Sequence, residues 1–214
     1  VMRDVLSPAE FAALREELAR ERGEPRECIQ GDTLTHRLLL DEATLDQLPV
    51  TRRLLADPRV SGPMRYAAAK NSRPLFYLQA IRNGARQAAP DPQKNLHSDT
   101  FHPSMKAWLF LEDVTPELGP FTFVPGSHRL SWARLRWEYR RSLVAATLED
   151  GYSAKGSFRF GPEDLAELGL PAPQPQALPA NTLVIANTFG IHCRGEAAPG
   201  ARRLELWAYS RFNP

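Results

Sequence analysis

Residues 95–128, NLHSDTFHPSMKAWLFLEDVTPELGPFTFVPGSH, contain three short strand patterns that are separated by turns and not by helices. Leu96–Thr100 is the first, and Lys106–Leu111 is the strongest because its residues are aromatic and apolar. The third, Phe121–Val124, ends at the turn Pro125-Gly126-Ser127. Short strands in quick succession are typical of a jelly roll or barrel, whereas a parallel sheet would place a helix between them.

Strand patterns also flank this stretch on both sides. They are Leu34–Leu40, Leu75–Ile81 (closed by Asn83-Gly84), Asn181–Ala186 and Arg203–Tyr209. Together these segments predict a mainly β (α+β) fold, namely a double-stranded β-helix or jelly-roll (cupin-like) core with flanking helices.

Helical patterns are fewer and lie mostly outside the strand-rich region. Ser7-Pro8-Ala9-Glu10 reads as a capping box that opens an amphipathic helix, and Val50–Ala56 predicts a helix that stops before Pro58. Ser131–Leu148 is the exception among the later strands. We therefore expect one domain over residues 1–214, with an inserted helical and loop excursion at about 130–178 that is either a functional cover or disordered.

The composition excludes several classes of protein. Hydrophobic residues make up 43% and charged residues 24% of the chain, and 27 basic against 25 acidic side chains give a net charge of +2. This balance argues against nucleic-acid or membrane binding, and no apolar run reaches the roughly 20 residues of a membrane span. Cys28 and Cys193 form no disulfide framework, and the charged segment Val1–Glu10 is unlike a secretory signal. We expect a cytoplasmic protein, trimmed at the amino terminus because it begins without Met.

The chemistry begins at Leu96-His97-Ser98-Asp99. On a strand, residues i and i+2 project from the same face, so His97 and Asp99 can point together into a barrel. One imidazole and one carboxylate are two corners of a facial metal triad, which leaves metal positions open. The alternative is ordinary surface polarity, since a His-x-Asp triplet also arises by chance.

A third ligand has to come from a distant strand, and His192 is the candidate. It follows the apolar strand Leu183–Ala186 and stands near glycines, which suits the mouth of a barrel. Eleven positions later (203 − 192), Arg203 begins the last strand pattern. An arginine fork binds a carboxylate through two hydrogen bonds and stays charged, as an anionic co-substrate would require. The alternatives are a buried histidine bonded to a carbonyl and a plain surface arginine.

The remaining reactive residues have structural explanations. His102 precedes Pro103 and fits a loop, His128 fits a hydrogen bond within its turn, and Cys193 would face away from a metal held by His192. The arginine-rich segment 129–141 has two interpretations, a lid that grips an anionic substrate or a solvated helix face with aromatic residues packed on the core.

Four blocks, in this order and spacing, resemble the phytanoyl-CoA dioxygenase (PhyH) family. They are His97-Ser-Asp99, Lys106-Ala-Trp108, Gly119-Pro-Phe-Thr-Phe-Val-Pro-Gly-Ser-His128-Arg129, and the pair His192 and Arg203. The resemblance covers the second half of the chain well and the first half loosely. It implies an oxygenase that uses Fe(II), 2-oxoglutarate and O2, hydroxylates a small molecule, and releases succinate and CO2.

The resemblance also implies a role for each matching residue. His97, Asp99 and His192 would hold Fe(II). Arg203 would pair with the distal carboxylate of 2-oxoglutarate, and Trp108 would lie beside that co-substrate. Halogenating relatives lack the carboxylate ligand, so Asp99 argues for hydroxylation or another non-halogenating oxidation.

The chain departs from the family pattern at Ser98, where many members carry Gln between the first two ligands. Ser98 either removes a polar contact to the co-substrate or widens the pocket. The upstream strand often supplies a further polar contact to 2-oxoglutarate, which here would come from Gln79 or Tyr77.

Two rival functions use similar residues. A cupin-like Mn or Zn metalloenzyme such as an isomerase would also need a histidine-rich barrel, but it would not need Arg203. A catalytically silent binding module would be expected to have lost one of the four polar residues. For the oxygenase the expected partner is a small-molecule substrate, which would be anionic if the arginine-rich segment grips it.

Overall fold

Two antiparallel sheets make up the core of the structure, a computed structural model that describes residues 1–210. The helices are α1 (Pro8–Ala19), α2 (Glu42–Asp46), α3 (Pro49–Ala56), α4 (Pro58–Ala68), α5 (Trp132–Val144) and α6 (Pro162–Glu167). The strands are β1 (Arg26–Gln30), β2 (Thr33–Leu39), β3 (Leu75–Arg82), β4 (Met105–Phe110), β5 (Phe121–Phe123), β6 (Gln174–Pro175), β7 (Leu183–Asn187), β8 (His192–Arg194) and β9 (Arg202–Ser210).

The larger sheet has six strands in the order β1-β2-β3-β9-β4-β7. Its two faces differ because side chains alternate along each strand. On the outer face, Leu109 and Leu206 belong to one apolar cluster with residues of α3 and α4 such as Leu55 and Met64. The inner face carries the neighbouring residues of the same strands, which are aromatic, polar and charged. The last strand, β9, lies between β3 and β4 and so brings its inner-face residues to the centre of the sheet.

The smaller sheet, in the order β6-β5-β8, covers part of this inner face. The rings of Trp108 on β4 and Phe121 on β5 stack with their centroids 4.3 Å apart, and both belong to one buried cluster that joins the two sheets. Two facing antiparallel sheets with helices on one outer surface are the jelly-roll arrangement that the strand patterns predict.

Several elements differ from the sequence prediction. Strand β1 has the sequence RECIQ, with few apolar residues, and gives no periodic signal. Pro58 does not only end α3, because it is also the first helical residue of α4. The segment 130–178 holds α5 and α6, and Trp137 of α5 is buried against Phe158 and Phe160. None of the helices that the described residues form has the length and apolarity that crossing a lipid bilayer requires.

Glu17 of α1 caps the amino terminus of α3, and its replacement tests whether this contact stabilises the fold. Its carboxylate accepts hydrogen bonds from the Val50 and Thr51 amides, both at 2.8 Å, and from Thr51 Oγ1 at 2.6 Å. The residue before α3, Leu48, has no side chain that could cap it. We expect Glu17→Ala to lower the free energy of unfolding by about 1–2 kcal/mol in urea denaturation.

Glu16→Ala is the matched control for this prediction, because Glu16 is exposed and forms a surface ion pair with the exposed Arg20. Equal unfolding free energies for the two variants would contradict the capping role.

Candidate metal centre

His97 and His192 stand directly opposite each other on adjacent backbone segments. Each amide donates a 2.9 Å hydrogen bond to the carbonyl of the other residue. The predicted strand Leu96–Thr100 is reduced to isolated bridges at His97, one to His192 and one to Arg159. Its other amides bond elsewhere, that of Ser98 to the Phe158 carbonyl and that of Asp99 to the Thr188 carbonyl. The amides of residues 97–99 therefore bond to three separate segments of the chain, and not to one neighbouring strand.

Both imidazoles are oriented by backbone carbonyls. His97 Nδ1 lies 2.7 Å from the Asn95 carbonyl, and His192 Nδ1 lies 2.9 Å from the Gly190 carbonyl. A carbonyl only accepts hydrogen bonds, so each Nδ1 carries the proton and each Nε2 presents a lone pair. The two Nε2 atoms are buried without a hydrogen-bond partner among the described residues. This arrangement is typical of histidine ligands whose second nitrogen is held by the protein.

Asp99 supplies the third donor. Its Oδ1 lies 3.7 Å from His97 Nε2 and 3.6 Å from His192 Nε2, and the three ligand atoms all lie within 4.8 Å of one another. Two imidazoles and one carboxylate on one side of a shared point form the facial triad of non-haem Fe(II) sites. The orphaned Nε2 atoms and this donor set fit a divalent metal ion.

The protonation states suit metal binding. Burial lowers the pKa of His192 to about 4, and burial together with the neighbouring His192 holds the pKa of His97 well below its usual range. Burial alone would raise the pKa of Asp99, but the Lys106 ammonium and the two imidazoles outweigh it, so this pKa is lowered. At neutral pH the site therefore holds two neutral imidazoles and a carboxylate.

Lys106 on β4 is a residue that sequence reasoning missed. Its Nζ lies 2.9 Å from Asp99 Oδ1 and 2.8 Å from Asp99 Oδ2. The resemblance had brought attention to this block only for Trp108, two residues on and on the same face of the strand.

A cavity of about 220 Å³ opens from the triad toward Arg203, and we call it the arginine cavity. Its lining includes the triad and Trp108, Gln79, Arg37, Arg194 and Arg203. The predicted residues Trp108, Gln79 and Arg203 are thus brought together beside the metal ligands. Ser98 is not among the lining residues, because it projects from the face opposite to His97 and Asp99. Its side chain is buried, and its proposed contact to a co-substrate stays a prediction.

Arg203 is held by a buried acid. Its Nε lies 2.8 Å from Glu205 Oε2, Nη1 donates to the Gly119 carbonyl, and the Glu205 side chain is fully buried. Gln79 Nε2 donates to Glu205 Oε1 and Arg37 Nε donates to Gln79 Oε1, both at 2.6 Å. The sequence placed Glu205 on the same face as Arg203, but it gave no signal for Arg37, because the position of β2 beside β3 depends on the sheet order.

Comparison with known proteins decides the family. The sequence profile described as phytanoyl-CoA dioxygenase (PhyH) matches residues 1–158, well over half of the 214-residue chain, and this span contains His97 and Asp99. The chain belongs to the PhyH family. The predicted membership is therefore confirmed. Among curated proteins no sequence matches this PhyH protein.

Solved structures with similar folds span nearly the whole PhyH chain. HygX from Streptomyces hygroscopicus, with nickel and 2-oxoglutarate bound, is 21% identical with a TM-score of 0.55, and the match covers 97% of this chain and 80% of HygX. The epimerase SnoN from nogalamycin biosynthesis is 23% identical with a TM-score of 0.57, covering 97% and 76%. The carbocyclase SnoK from the same biosynthesis is 18% identical with a TM-score of 0.53, covering 97% and 77%. These likenesses confirm the predicted jelly-roll fold.

The arginine-rich segment of the PhyH protein takes no part in the arginine cavity, whose lining comes from other residues. Arg134 is buried and pairs with Glu138 at 2.8 Å, and Arg140 pairs with Glu167 of α6. Trp137 stacks on Phe160 with centroids 4.3 Å apart. These contacts favour the interpretation of a helix packed on the core over that of a lid.

Cys193 lies in a buried environment that does not favour a nucleophile. Burial raises the pKa of its thiol to about 11, so the thiolate is not populated at neutral pH.

Proposed function

We propose that the protein is an Fe(II)- and 2-oxoglutarate-dependent oxygenase that hydroxylates a small molecule. One substrate C–H bond becomes C–OH, O2 supplies the oxygen atom, and 2-oxoglutarate is oxidised and split into succinate and CO2. The observation that carries the proposal is the pair of buried, unpartnered Nε2 atoms that converge with Asp99 Oδ1 beside a cavity lined by Arg203. Family membership and the fold shared with HygX and SnoN support it.

The residues of the site divide into two groups. His97, Asp99 and His192 would hold Fe(II) from one side, and the remaining metal positions face the arginine cavity. Arg203 would bind the distal carboxylate of 2-oxoglutarate, with Gln79 and Trp108 as walls of the same cavity. Bound iron would supply the activation of O2. The protein groups orient the co-substrate and keep the two imidazoles neutral.

Hydroxylation is the outcome that we favour, because Asp99 occupies the position that a halide would need. The epimerase SnoN and the carbocyclase SnoK have similar folds, so a jelly roll of this kind also supports other reactions. Incorporation of ¹⁸O from ¹⁸O2 into the product would distinguish hydroxylation from stereochemical inversion or ring closure.

The substrate is proposed to be a small, acidic molecule. HygX has been solved with hygromycin B and SnoN with a nogalamycin compound, both small molecules. Acidity is supported by the cation Arg37 near the triad, whose hydrogen bond goes to the neutral Gln79 amide. We also propose a cytoplasmic location, in keeping with the free cysteines Cys28 and Cys193.

Anaerobic titration of Fe(II) and 2-oxoglutarate into the metal-free protein tests the proposal. We expect a metal-to-ligand charge-transfer band that requires both components, followed by succinate release when O2 is admitted. Zn(II) in place of Fe(II) is the control, because it binds the same donors and gives no such band. A folded protein that holds Fe(II) and shows no band with 2-oxoglutarate would favour the Mn or Zn metalloenzyme or the silent binding module instead.

A further inference from the structure

A second cavity lies beside the metal centre, and its walls indicate what class of molecule it binds. We propose that it holds the organic substrate, and that this substrate is a ring-bearing small molecule with an acidic oxyanion group, a carboxylate or a phosphate. The inference rests on the proposed function and adds the chemical class of the substrate to it.

The position of this cavity fits a substrate site. It has a volume of about 560 Å³, within the range of roughly 300–1,000 Å³ that is usual for small-molecule sites. Asp99 and Lys106 line it on the metal side, and it shares Arg37 and Trp207 with the arginine cavity. A molecule bound there would lie next to the metal ligands without occupying the space beside Arg203. We call it the aromatic cavity.

Three aromatic side chains form one wall of the aromatic cavity. Tyr77 on β3 is in register with Trp207 on β9, and their ring centroids are 5.4 Å apart. Tyr209 lies 5.1 Å from Trp207 and 6.1 Å from Tyr77, with interplanar angles of 22° and 19°. The Tyr77 and Trp207 rings are tilted by 41° to each other, with the Tyr209 ring between these two orientations. Adjacent aromatic rings favour a ligand that carries a ring of its own.

Two arginines face the same cavity from neighbouring strands. Arg26 on β1 and Arg37 on β2 are directly opposite in register, and both line the aromatic cavity. Like charges at opposite positions of an antiparallel pair destabilise the sheet. Arg37 is bonded to the Gln79 amide and stacks over the Trp207 ring at 4.3 Å, and neither partner carries a negative charge. An oxyanion between the two guanidinium groups would offset their repulsion.

The charged side chains that line the aromatic cavity sum to a net positive charge. Lys106 and Asp99 form an ion pair and offset each other. Glu24 is the other acidic residue among the lining residues, so Arg26 and Arg37 exceed it by one charge (2 − 1). Glu24 would repel an anionic ligand, and its removal should therefore strengthen binding.

Isothermal titration of the anaerobic protein, loaded with Fe(II) and saturating 2-oxoglutarate, tests the proposal with defined probes. The probes are 1-naphthoate, 1-naphthyl phosphate, 1-naphthylmethylamine and hexanoate. We expect one of the two naphthyl anions to bind at least about tenfold more tightly than the amine and hexanoate, as one charge-assisted contact would give. The tighter of the two identifies the oxyanion. An amine or hexanoate that binds as well as both anions would overturn the proposal.

Variants place the probe in the aromatic cavity. Arg26→Gln should weaken the naphthyl anion about tenfold and Glu24→Gln should strengthen it, because each changes one charge at the rim. Tyr209→Leu should weaken the naphthyl anion but not hexanoate. Glu27→Gln is the control, since Glu27 is exposed and pairs with His36 away from the cavity. The proposal would be overturned if the affinity for the naphthyl anion were unchanged in these variants, or if it fell as the concentration of 2-oxoglutarate is raised.

The charge-transfer band distinguishes a failure of the proposed function from a failure of the proposed substrate class. It is recorded before each probe is added, so a missing band in the wild type contradicts the proposed function itself. A normal band with no preference for ring-bearing anions contradicts only the substrate class.

Discussion

Replacing His192 with alanine is expected to abolish binding of Fe(II) and, with it, the 2-oxoglutarate charge-transfer band. The variant loses one of the three donor atoms that converge in the site. Loss of an outer-shell partner already costs about 10–100-fold in metal affinity, so loss of a direct donor should cost about a hundredfold or more. The fold should persist, because the hydrogen bonds that join position 192 to His97 are made by the backbone. Turnover of 2-oxoglutarate should fall below detection.

The expected loss is measured by equilibrium dialysis against Fe(II) or Ni(II) with metal analysis, together with the anaerobic absorption spectrum. His128→Ala is the matched control, because His128 is exposed and its ring lies against Phe123 outside the triad. Circular dichroism of both variants shows whether the jelly roll is retained. A His192→Ala protein that is folded and binds metal as tightly as the wild type would refute the assignment of the ligands.

The convergence of His97, Asp99 and His192 could be predicted from sequence, because the first two rest on a local rule and the third on its place after a strand and on the family resemblance. The i, i+2 alternation of a strand places His97 and Asp99 on one face whatever their neighbours are. His192 follows an apolar strand, and its separation from Arg203 along the sequence resembles that in the PhyH family. The structure puts the ligands together by a different route, since residues 96–100 do not form a strand. The alternation of side chains along an extended backbone is kept, so His97 and Asp99 project to the same side, as predicted.

The surrounding residues could not be predicted, because their roles depend on which strands are neighbours. Lys106 meets Asp99 only because β4 pairs with β7, which is followed by the Thr188 carbonyl that accepts from the Asp99 amide. Arg37 meets Gln79 only because β2 pairs with β3. The arginines of α5 illustrate the opposite case. They are conspicuous in sequence, yet residues such as Arg134 are paired with nearby acids and lie outside both cavities. Residue type alone did not distinguish the cations that line a cavity from the arginines of α5 that pair with nearby acids.

Replacing Arg203 with alanine should have two separate effects, one on stability and one on the co-substrate. Glu205 is fully buried, and loss of its cationic partner leaves an unpaired charge that costs about 3–5 kcal/mol of unfolding free energy. Affinity for 2-oxoglutarate should fall by about thirtyfold or more, since truncating one partner of a buried charge pair costs roughly 2–5 kcal/mol. Urea denaturation and the anaerobic 2-oxoglutarate titration measure the two effects.

A double variant distinguishes these effects. In Arg203→Ala/Glu205→Gln the buried carboxylate is replaced by a neutral amide that still meets Gln79, so most of the lost stability should return. Affinity for 2-oxoglutarate should stay low, because the cation that binds the distal carboxylate is still missing. If the double variant regained both, Arg203 would be a structural partner of Glu205 and the co-substrate would have to be bound by another cation. Arg37 would then be the residue to replace, because it is the cavity arginine whose hydrogen bond goes to an amide and not to a carboxylate.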